Sequence, residues 1–204
     1  MTTENRIYLA SRSPRRRELL DQIGVRFDML LFRAPPRSDN EVSEVELEDE
    51  LPSDYVRRVA LAKAQHGQRM LSERQLLPRP ILSADTTLDL DGEIVGKPRD
   101  THDAARILTK LSGRMHRVLS AVVVTAGDRI ETAMSVSEVR FRAISEAEIR
   151  HYVQSGEPMD KAGAYGIQGR ASMFIQEIRG SYSGIVGLPL CETSVLLKKF
   201  GFVF

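Results

Sequence analysis

The sequence predicts an α/β fold, a central mixed sheet flanked by helices. Two observations point there. Short apolar runs alternate with helix-patterned stretches early in the chain, and two long strand-like runs follow one another across a tight turn later. The length of 204 residues suits one domain, as one body or two lobes. A chain of that size buries roughly 70% of the surface it exposes when unfolded. Hydrophobic residues make up 42% and charged residues 28%, so a packed core is expected.

The elements follow in order. Residues 7–10 read as a short buried strand. Ser13-Pro14 then marks a helix start, with serine as N-cap and proline at the first helical position. That helix runs through Glu18, Leu19, Leu20 and Ile23 and stops at Gly24. Residues 27–32 return as a strand. The stretch 33–52 is polar, acidic and carries three prolines, which predicts a long surface loop. Ser53 caps a second helix that buries Val56, Val59 and Ala60. A strand over 80–90 turns at Asp91-Gly92 into a partner at 93–95. Over 101–111, Ala104, Ile107, Leu108 and Leu111 recur at helical spacing, with Gly113 just beyond. Strands over 116–125 and 132–141 are joined by Gly127-Asp128. Ser145-Glu146-Ala147-Glu148 is a capping box opening a helix to residue 154. A glycine-rich segment, a strand over 172–178 and a helix over 189–200 complete the chain. No internal repeat is visible.

Composition narrows the function. With 29 basic and 28 acidic side chains the formal net charge is +1, so any anion site must be local. Few aromatics, 6% with no tryptophan, argue against RNA binding. The one cysteine, Cys191, cannot form an internal disulfide, which fits a reducing compartment, and it is expected in the core. His66, His102, His116 and His151 are scattered without zinc spacing. The start lacks a secretory pattern, and no apolar run approaches the ~20 residues of a membrane span. The expectation is a cytoplasmic protein with neither nucleic acid nor membrane as partner.

Four stretches carry chemistry. In Ser11-Arg12-Ser13-Pro14-Arg15-Arg16-Arg17 a strand feeds a helix N-terminus, which offers free backbone N–H groups and the positive end of the helix dipole. Cations there oppose the dipole, and an oligophosphate resolves the conflict because guanidinium forks and helix amides both favour it. A solvated basic turn is the alternative, and for Arg12 and Arg17 a sufficient one. Asp85 stands in the apolar run Ile81-Leu82-Ser83-Ala84-Asp85-Thr86-Thr87-Leu88. A carboxylate is costly to bury there unless it is paired or binds a cation, so it is a metal ligand, a base for water or a structurally satisfied aspartate. Asp89 and Asp91 read as turn residues. Lys63 continues the apolar stripe of positions 56, 59 and 60, so it either snorkels to solvent or points into a cleft. Lys97 in Gly96-Lys97-Pro98 is aimed by the proline that follows. Finally, Gly163-Ala164-Tyr165-Gly166-Ile167-Gln168-Gly169 allows close backbone approach, and Gln168 offers a donor and an acceptor. It is neither a Walker A loop nor a dinucleotide fingerprint.

These pieces, in this order, resemble the Maf family of nucleotide pyrophosphatases. The matching stretches are 9–20 (LASRSPRRRELL), Ala84-Asp85-Thr86, Gly96-Lys97-Pro98-Arg99-Asp100, 160–169 (DKAGAYGIQG) and Val186-Gly187-Leu188-Pro189-Leu190, which span nearly the whole chain. The resemblance implies a central mixed sheet and two lobes around a deep cleft. It implies hydrolysis between the α- and β-phosphates to a nucleoside monophosphate and pyrophosphate, with a divalent metal, Mg²⁺ or Mn²⁺. Carried over by motif, Asp85 is the proton acceptor for the attacking water, with Lys63 and Lys97 beside it. Ser11, Ser13, Arg15 and Arg16, together with Lys63 and Lys97, line the phosphate site. Arg15, Thr86 and Gln168 match the branch acting on dTTP and UTP; the branch acting on 7-methyl-GTP typically carries tryptophan, glutamine and glutamate there. One departure stands out: the family's acidic turn after the second strand is here a lengthened loop. Counting back from Tyr55-Val56 favours Glu44 as the metal-site glutamate beside Asp85, with Glu41 as the alternative. The resemblance also implies a homodimer. The rival readings are a non-catalytic nucleotide-binding regulator of cell division or septum formation, and a 7-methyl-GTP-type pyrophosphatase.

Overall fold

The computed structural model describes residues 6–31 and 42–204. β1 (Arg6–Leu9), α1 (Pro14–Gln22) and β2 (Arg26–Met29) form a parallel crossover unit. The long helix α2 (Pro52–Glu73) leads to β3 (Ile81–Leu90), which turns into β4 (Glu93–Val95). Asp91 and Gly92 both take positive φ, 55° and 89°, as a two-residue hairpin turn between right-twisted strands requires. After α3 (Thr101–Leu111) come β5 (Met115–Ala126) and β6 (Arg129–Phe141), then α4 (Glu146–Gln154). Three 3-10 turns (Glu157–Asp160, Ala162–Ala164, Arg170–Phe174) precede β7 (Ile175–Arg179), α5 (Tyr182–Val186) and α6 (Leu190–Lys199). Of these elements α5 was not expected from the sequence.

The strands form one seven-stranded mixed sheet in the order β2-β1-β3-β5-β6-β7, with β4 also paired to β3. Alternation along the strands feeds its two faces. Leu119, Ala121 and Val123 of β5 meet Val56, Ala60 and Ala64 of α2, while Val118, Val122 and Val124 enter the larger core on the other side. On β3, Ser83 and Asp85 share the α2 face; the Ser83 hydroxyl donates to the Ala60 carbonyl at 2.8 Å.

The register creates a notch in the sheet. β1 pairs with β3 only at Ile81 and Leu82, and β4 pairs with it at Leu88, Asp89 and Leu90. Both lie opposite the β5 edge, which is paired from Ile81 to Asp89. Residues 83–87 therefore have a strand neighbour on one edge only. Through that gap, side chains from opposite faces of β3 reach one cleft.

Several sequence expectations are corrected. Leu51, not Ser53, is the N-cap of α2, because Pro52 already sits at the first helical position. Ser13 occupies the N-cap position of α1 in extended backbone but its side chain makes no cap bond. Instead the Ser11 hydroxyl accepts the Ser13 amide at 3.2 Å. Residues 170–174 wind as a 3-10 turn, so the seventh strand begins later than expected. Cys191 is exposed, since the buried stripe of α6 falls on Thr193, Leu196 and Leu197. Asp89 is more than a turn residue: its carboxylate is buried, caps the Gly92 amide at 2.8 Å and pairs with Arg117. The capping box at Ser145 forms as expected, with both reciprocal bonds present.

Candidate functional site

A cleft of about 1150 Å³ opens at the notch. That is the size of a large small-molecule site. Its lining includes Ser11, Ser13, Arg15, Arg16, Glu44, Lys63, Asp85, Thr86, Lys97 and Gln168. Glu41 lies outside the described residues.

Asp85 sits at the middle of the unpaired edge and is 8% exposed. Lys63 meets it from α2: the ammonium donates to Asp85 Oδ1 at 2.7 Å and lies 2.6 Å from Glu44 Oε1. The lysine thus does not snorkel; its stem follows the helix stripe and its head holds two carboxylates together. Burial alone would raise the Glu44 carboxyl pKa. The charge and hydrogen bond of Lys63, helped by Lys97 and Arg16, outweigh it and leave Glu44 below its ordinary value. The segment bearing Glu44 is fastened to α2. The Tyr55 hydroxyl donates to the Glu44 carbonyl at 3.0 Å, and Arg58 forks onto Glu50 at 2.6 and 2.7 Å and reaches the Val45 carbonyl at 2.9 Å. Burial first, then the charges of Asp85 and Glu44, push the Tyr55 pKa up, so its hydroxyl keeps the proton it donates.

Arg16 enters from the opposite face of the sheet. Its Nε donates to the Gly187 carbonyl at 2.8 Å, and its two terminal nitrogens reach Ser11 Oγ at 3.3 Å and Thr86 Oγ1 at 3.4 Å. Gly187 is at φ 129°, a conformation glycine alone adopts readily, which turns its carbonyl toward the guanidinium. Burial, the largest influence, lowers the Arg16 pKa; Asp85 opposes that and Arg15 adds to it. A guanidinium so placed stays charged and is stabilised by any anion that joins it. Thr86 is oriented in turn by Ser120, whose hydroxyl lies 2.8 Å away and donates to the Gly184 carbonyl at 2.7 Å. At the rim, Arg15 pairs with Asp160 at 3.1 Å across the mouth of the cleft. Lys97 and Gln168 are exposed on the wall.

The structure therefore brings Ser11, Arg16, Glu44, Lys63, Asp85 and Thr86 into one connected cluster and places Ser13, Arg15, Lys97 and Gln168 around it. Arg12 is exposed and lines the same cleft, whereas Arg17 is exposed and does not line it. Reading the residues one by one missed Gly187, Ser120, Tyr55, Arg58 and Asp160. Of these, Gly187 and Asp160 carried a signal, as members of the 186–190 and 160–169 stretches. The arrangement can hold an oligophosphate on Arg16, Arg15 and Lys97 while presenting a carboxylate to a water molecule. Its two carboxylates on one ammonium are hard oxygen donors of the kind Mg²⁺ accepts, one or two at a time, alongside substrate phosphates. Among the described residues no group of three or more acidic, histidine or cysteine side chains could enclose a metal by itself.

The family model described as "Maf-like protein" matches residues 6–200. A dTTP/UTP pyrophosphatase of Dechloromonas aromatica is 59% identical over 97% of this chain and 98% of its own length. Another, of Aromatoleum aromaticum, is 60% identical over 97% and 96%. Among solved structures, the Staphylococcus aureus Ham1 protein aligns with a TM-score of 0.49 at 12% identity, covering 96% of this chain and 98% of that one.

Proposed function

This chain belongs to the Maf-like protein family, and on that premise we propose that it is a single-domain enzyme hydrolysing dTTP and UTP to the monophosphate and pyrophosphate. One observation carries the reading: Arg16, Lys63, Asp85 and Glu44, drawn from both faces of the sheet, converge through the notch on a single cleft whose wall bears Gln168. The relatives named dTTP/UTP pyrophosphatase, at 59% and 60% identity over nearly full length, support the substrate.

The triphosphate lies against the first turn of α1. Ser11 and Ser13 offer hydroxyls, and Arg15, Arg16 and Lys97 spread positive charge along the phosphates, so catalysis is chiefly positioning plus electrostatics. Arg15 exchanges Asp160 for phosphate as the substrate enters. Asp85, aimed by Lys63, takes the proton from the water that attacks the α-phosphorus, and the electron pair of the breaking bond leaves on pyrophosphate. Thr86, pinned by Ser120 and Arg16, shapes the floor. Gln168 faces the base, where its amide complements the N3–H and carbonyl edge of uracil or thymine. Glu44 and Asp85 would hold a Mg²⁺ or Mn²⁺ ion, which when bound neutralises phosphate charge. A homodimer and a cytoplasmic setting complete the proposal. No helix among the described residues is long and apolar enough to cross a membrane, and an exposed free thiol at Cys191 suits a reducing environment.

The test is pyrophosphate release from dTTP, UTP, CTP, GTP and 7-methyl-GTP, with and without Mg²⁺. Turnover of dTTP and UTP well above the others is expected. Binding without turnover would replace the proposal with a nucleotide-sensing regulator, and preference for 7-methyl-GTP would move the chain to the other branch.

A further inference from the structure

The loop that carries Gln168 has no regular secondary structure to hold it, yet it is seated on two side chains. Gly166-Ile167-Gln168-Gly169 closes on itself as a turn, the Gly169 amide donating to the Gly166 carbonyl at 3.1 Å. It lies on the 3-10 turn Glu157–Asp160 and the lysine that follows. A side-chain carbon added at Gly166 would stand 2.8 Å from Lys161 Cε, and one at Gly169 would collide with the Glu157 carboxylate. Neither glycine has positive φ, so what a larger residue meets at both is close approach, and it would push the Lys161 or Glu157 side chain out of its place. The Glu157 carboxylate is used on both oxygens: Oε1 accepts from the Tyr152 hydroxyl of α4 at 3.0 Å, and Oε2 accepts from the Arg170 amide at 3.0 Å. The Lys161 ammonium returns to the Glu157 carbonyl at 2.6 Å. Burial, and after it the bond to Glu157, hold the Tyr152 hydroxyl protonated, so that donor persists.

We propose that Glu157 is the positioning residue for nucleobase selection: by clamping the Gly169–Arg170 backbone to α4 it fixes where Gln168 stands in the cleft. The proposal rests on the reading of Gln168 as the base-reading residue. A charged acceptor is the fitting choice, because charge-assisted hydrogen bonds to an amide and a hydroxyl are shorter and stronger than neutral ones. Glu157 acts through the loop, and the phosphates are held elsewhere.

The experiment uses the full chain with Glu157→Ala, Glu157→Gln, Gly169→Ala and the double variant Glu157→Ala/Gly169→Ala, beside Gln168→Ala. KM and kcat for UTP and CTP, competitive inhibition by inorganic tripolyphosphate, and thermal melting are measured. For Glu157→Ala, KM for UTP is expected to rise and the UTP-to-CTP preference to fall, each roughly tenfold, the order that one lost charge-assisted bond commands. kcat falls far less and tripolyphosphate inhibition stays within about twofold. Glu157→Gln recovers most of the preference, since its carbonyl can accept from Arg170 while its amide donates to the Tyr152 oxygen. Gly169→Ala reproduces the loss by displacing the carboxylate, and the double variant is no worse than Glu157→Ala, a non-additivity that marks direct contact. If Glu157→Ala does not fold, Glu157→Gln and Gly169→Ala carry the test. An unchanged UTP-to-CTP preference in Glu157→Ala or Gly169→Ala, or a tripolyphosphate affinity that falls in step with KM, overturns the proposal. Should Gln168→Ala itself leave the preference unchanged, the base-reading role falls first. Should Gln168→Ala shift it and Glu157→Ala not, the clamp alone is wrong.

Discussion

The floor of the cleft and its rim are built in opposite ways. On the floor most functional groups are mounted on regular elements, Asp85 and Thr86 on β3, Lys63 on α2 and Arg16 on α1, and only Ser11 and Glu44 join them from loops. Each is cross-tied, Lys63 to two carboxylates and Arg16 to a carbonyl and two hydroxyls. At the rim, Gln168 sits between 3-10 turns, and Lys97 follows a three-residue strand. Chemistry at phosphorus needs fixed geometry, which backbone hydrogen-bond ladders supply. Selecting a base needs only a loop whose position is set by a few side-chain anchors, and loops accept change at lower structural cost. The floor should therefore answer substitution with lost rate, and the rim with altered preference.

That contrast can be broken by experiment, starting where the effect is largest. Asp85→Asn removes the proton acceptor while keeping shape, so kcat should fall ~10²–10⁴-fold with an unchanged circular dichroism spectrum. Near-normal turnover would take Asp85 out of the mechanism. Arg16→Lys keeps the charge but cannot reach the Gly187 carbonyl, Ser11 and Thr86 together. A loss of roughly 10–100-fold in kcat/KM is expected, the range for hydrogen bonds to charged groups. An effect under twofold would show that the charge alone suffices. For Gln168→Glu, dTTP and UTP should lose roughly tenfold of their advantage over other nucleotides, with tripolyphosphate inhibition nearly unchanged. A matching loss of tripolyphosphate affinity would mean that the rim and the floor are not separable.

The smallest effect on turnover is expected beneath the rim, at His116. Its Nε2 lies 2.7 Å from the Tyr165 hydroxyl, its Nδ1 has no hydrogen-bond partner, and burial lowers its pKa to about 4. In the unfolded chain the imidazole titrates near 6.5. Between those values the unfolded state binds the extra proton, so this group contributes stability in full above pH 6.5 and loses it as pH falls toward 4. His116→Gln should flatten the fall in melting temperature between pH 6.5 and 4 while leaving turnover at pH 8 within about threefold of the parent. A melting curve with the parent's pH slope would reject a buried neutral histidine.

How much of this was legible in the sequence depends on the range of the forces involved. Helix α3, the capping box at Ser145 and the turns at Asp91-Gly92 and Gly127-Asp128 are written in residues a few positions apart, and they formed where the local code put them. The cationic first turn of α1 and the carboxylate at Asp85 were legible for a related reason: each violates a local rule, the first of the helix dipole and the second of strand burial. Glu44 was reached only by counting back from Tyr55 along a lengthened loop, and only the ion pair with Lys63 ties it to Asp85. The misplaced start of β7 and the exposed Cys191 belong to the opposite case, in which packing against the rest of the molecule overrides propensity.

By itself, then, the amino-acid order determined the element types, the mixed α/β class and the identity of most groups that meet in the cleft. Only the tertiary structure decided that β1 leaves β3 after Leu82 and β4 joins it at Leu88, opening the notch through which Asp85 and Thr86 share one cavity from opposite faces. Only it, too, seated the Gln168 loop on Glu157 and Lys161. The reason is physical: strand register and loop seating are set by contacts between residues far apart in the chain, and no local pattern encodes them.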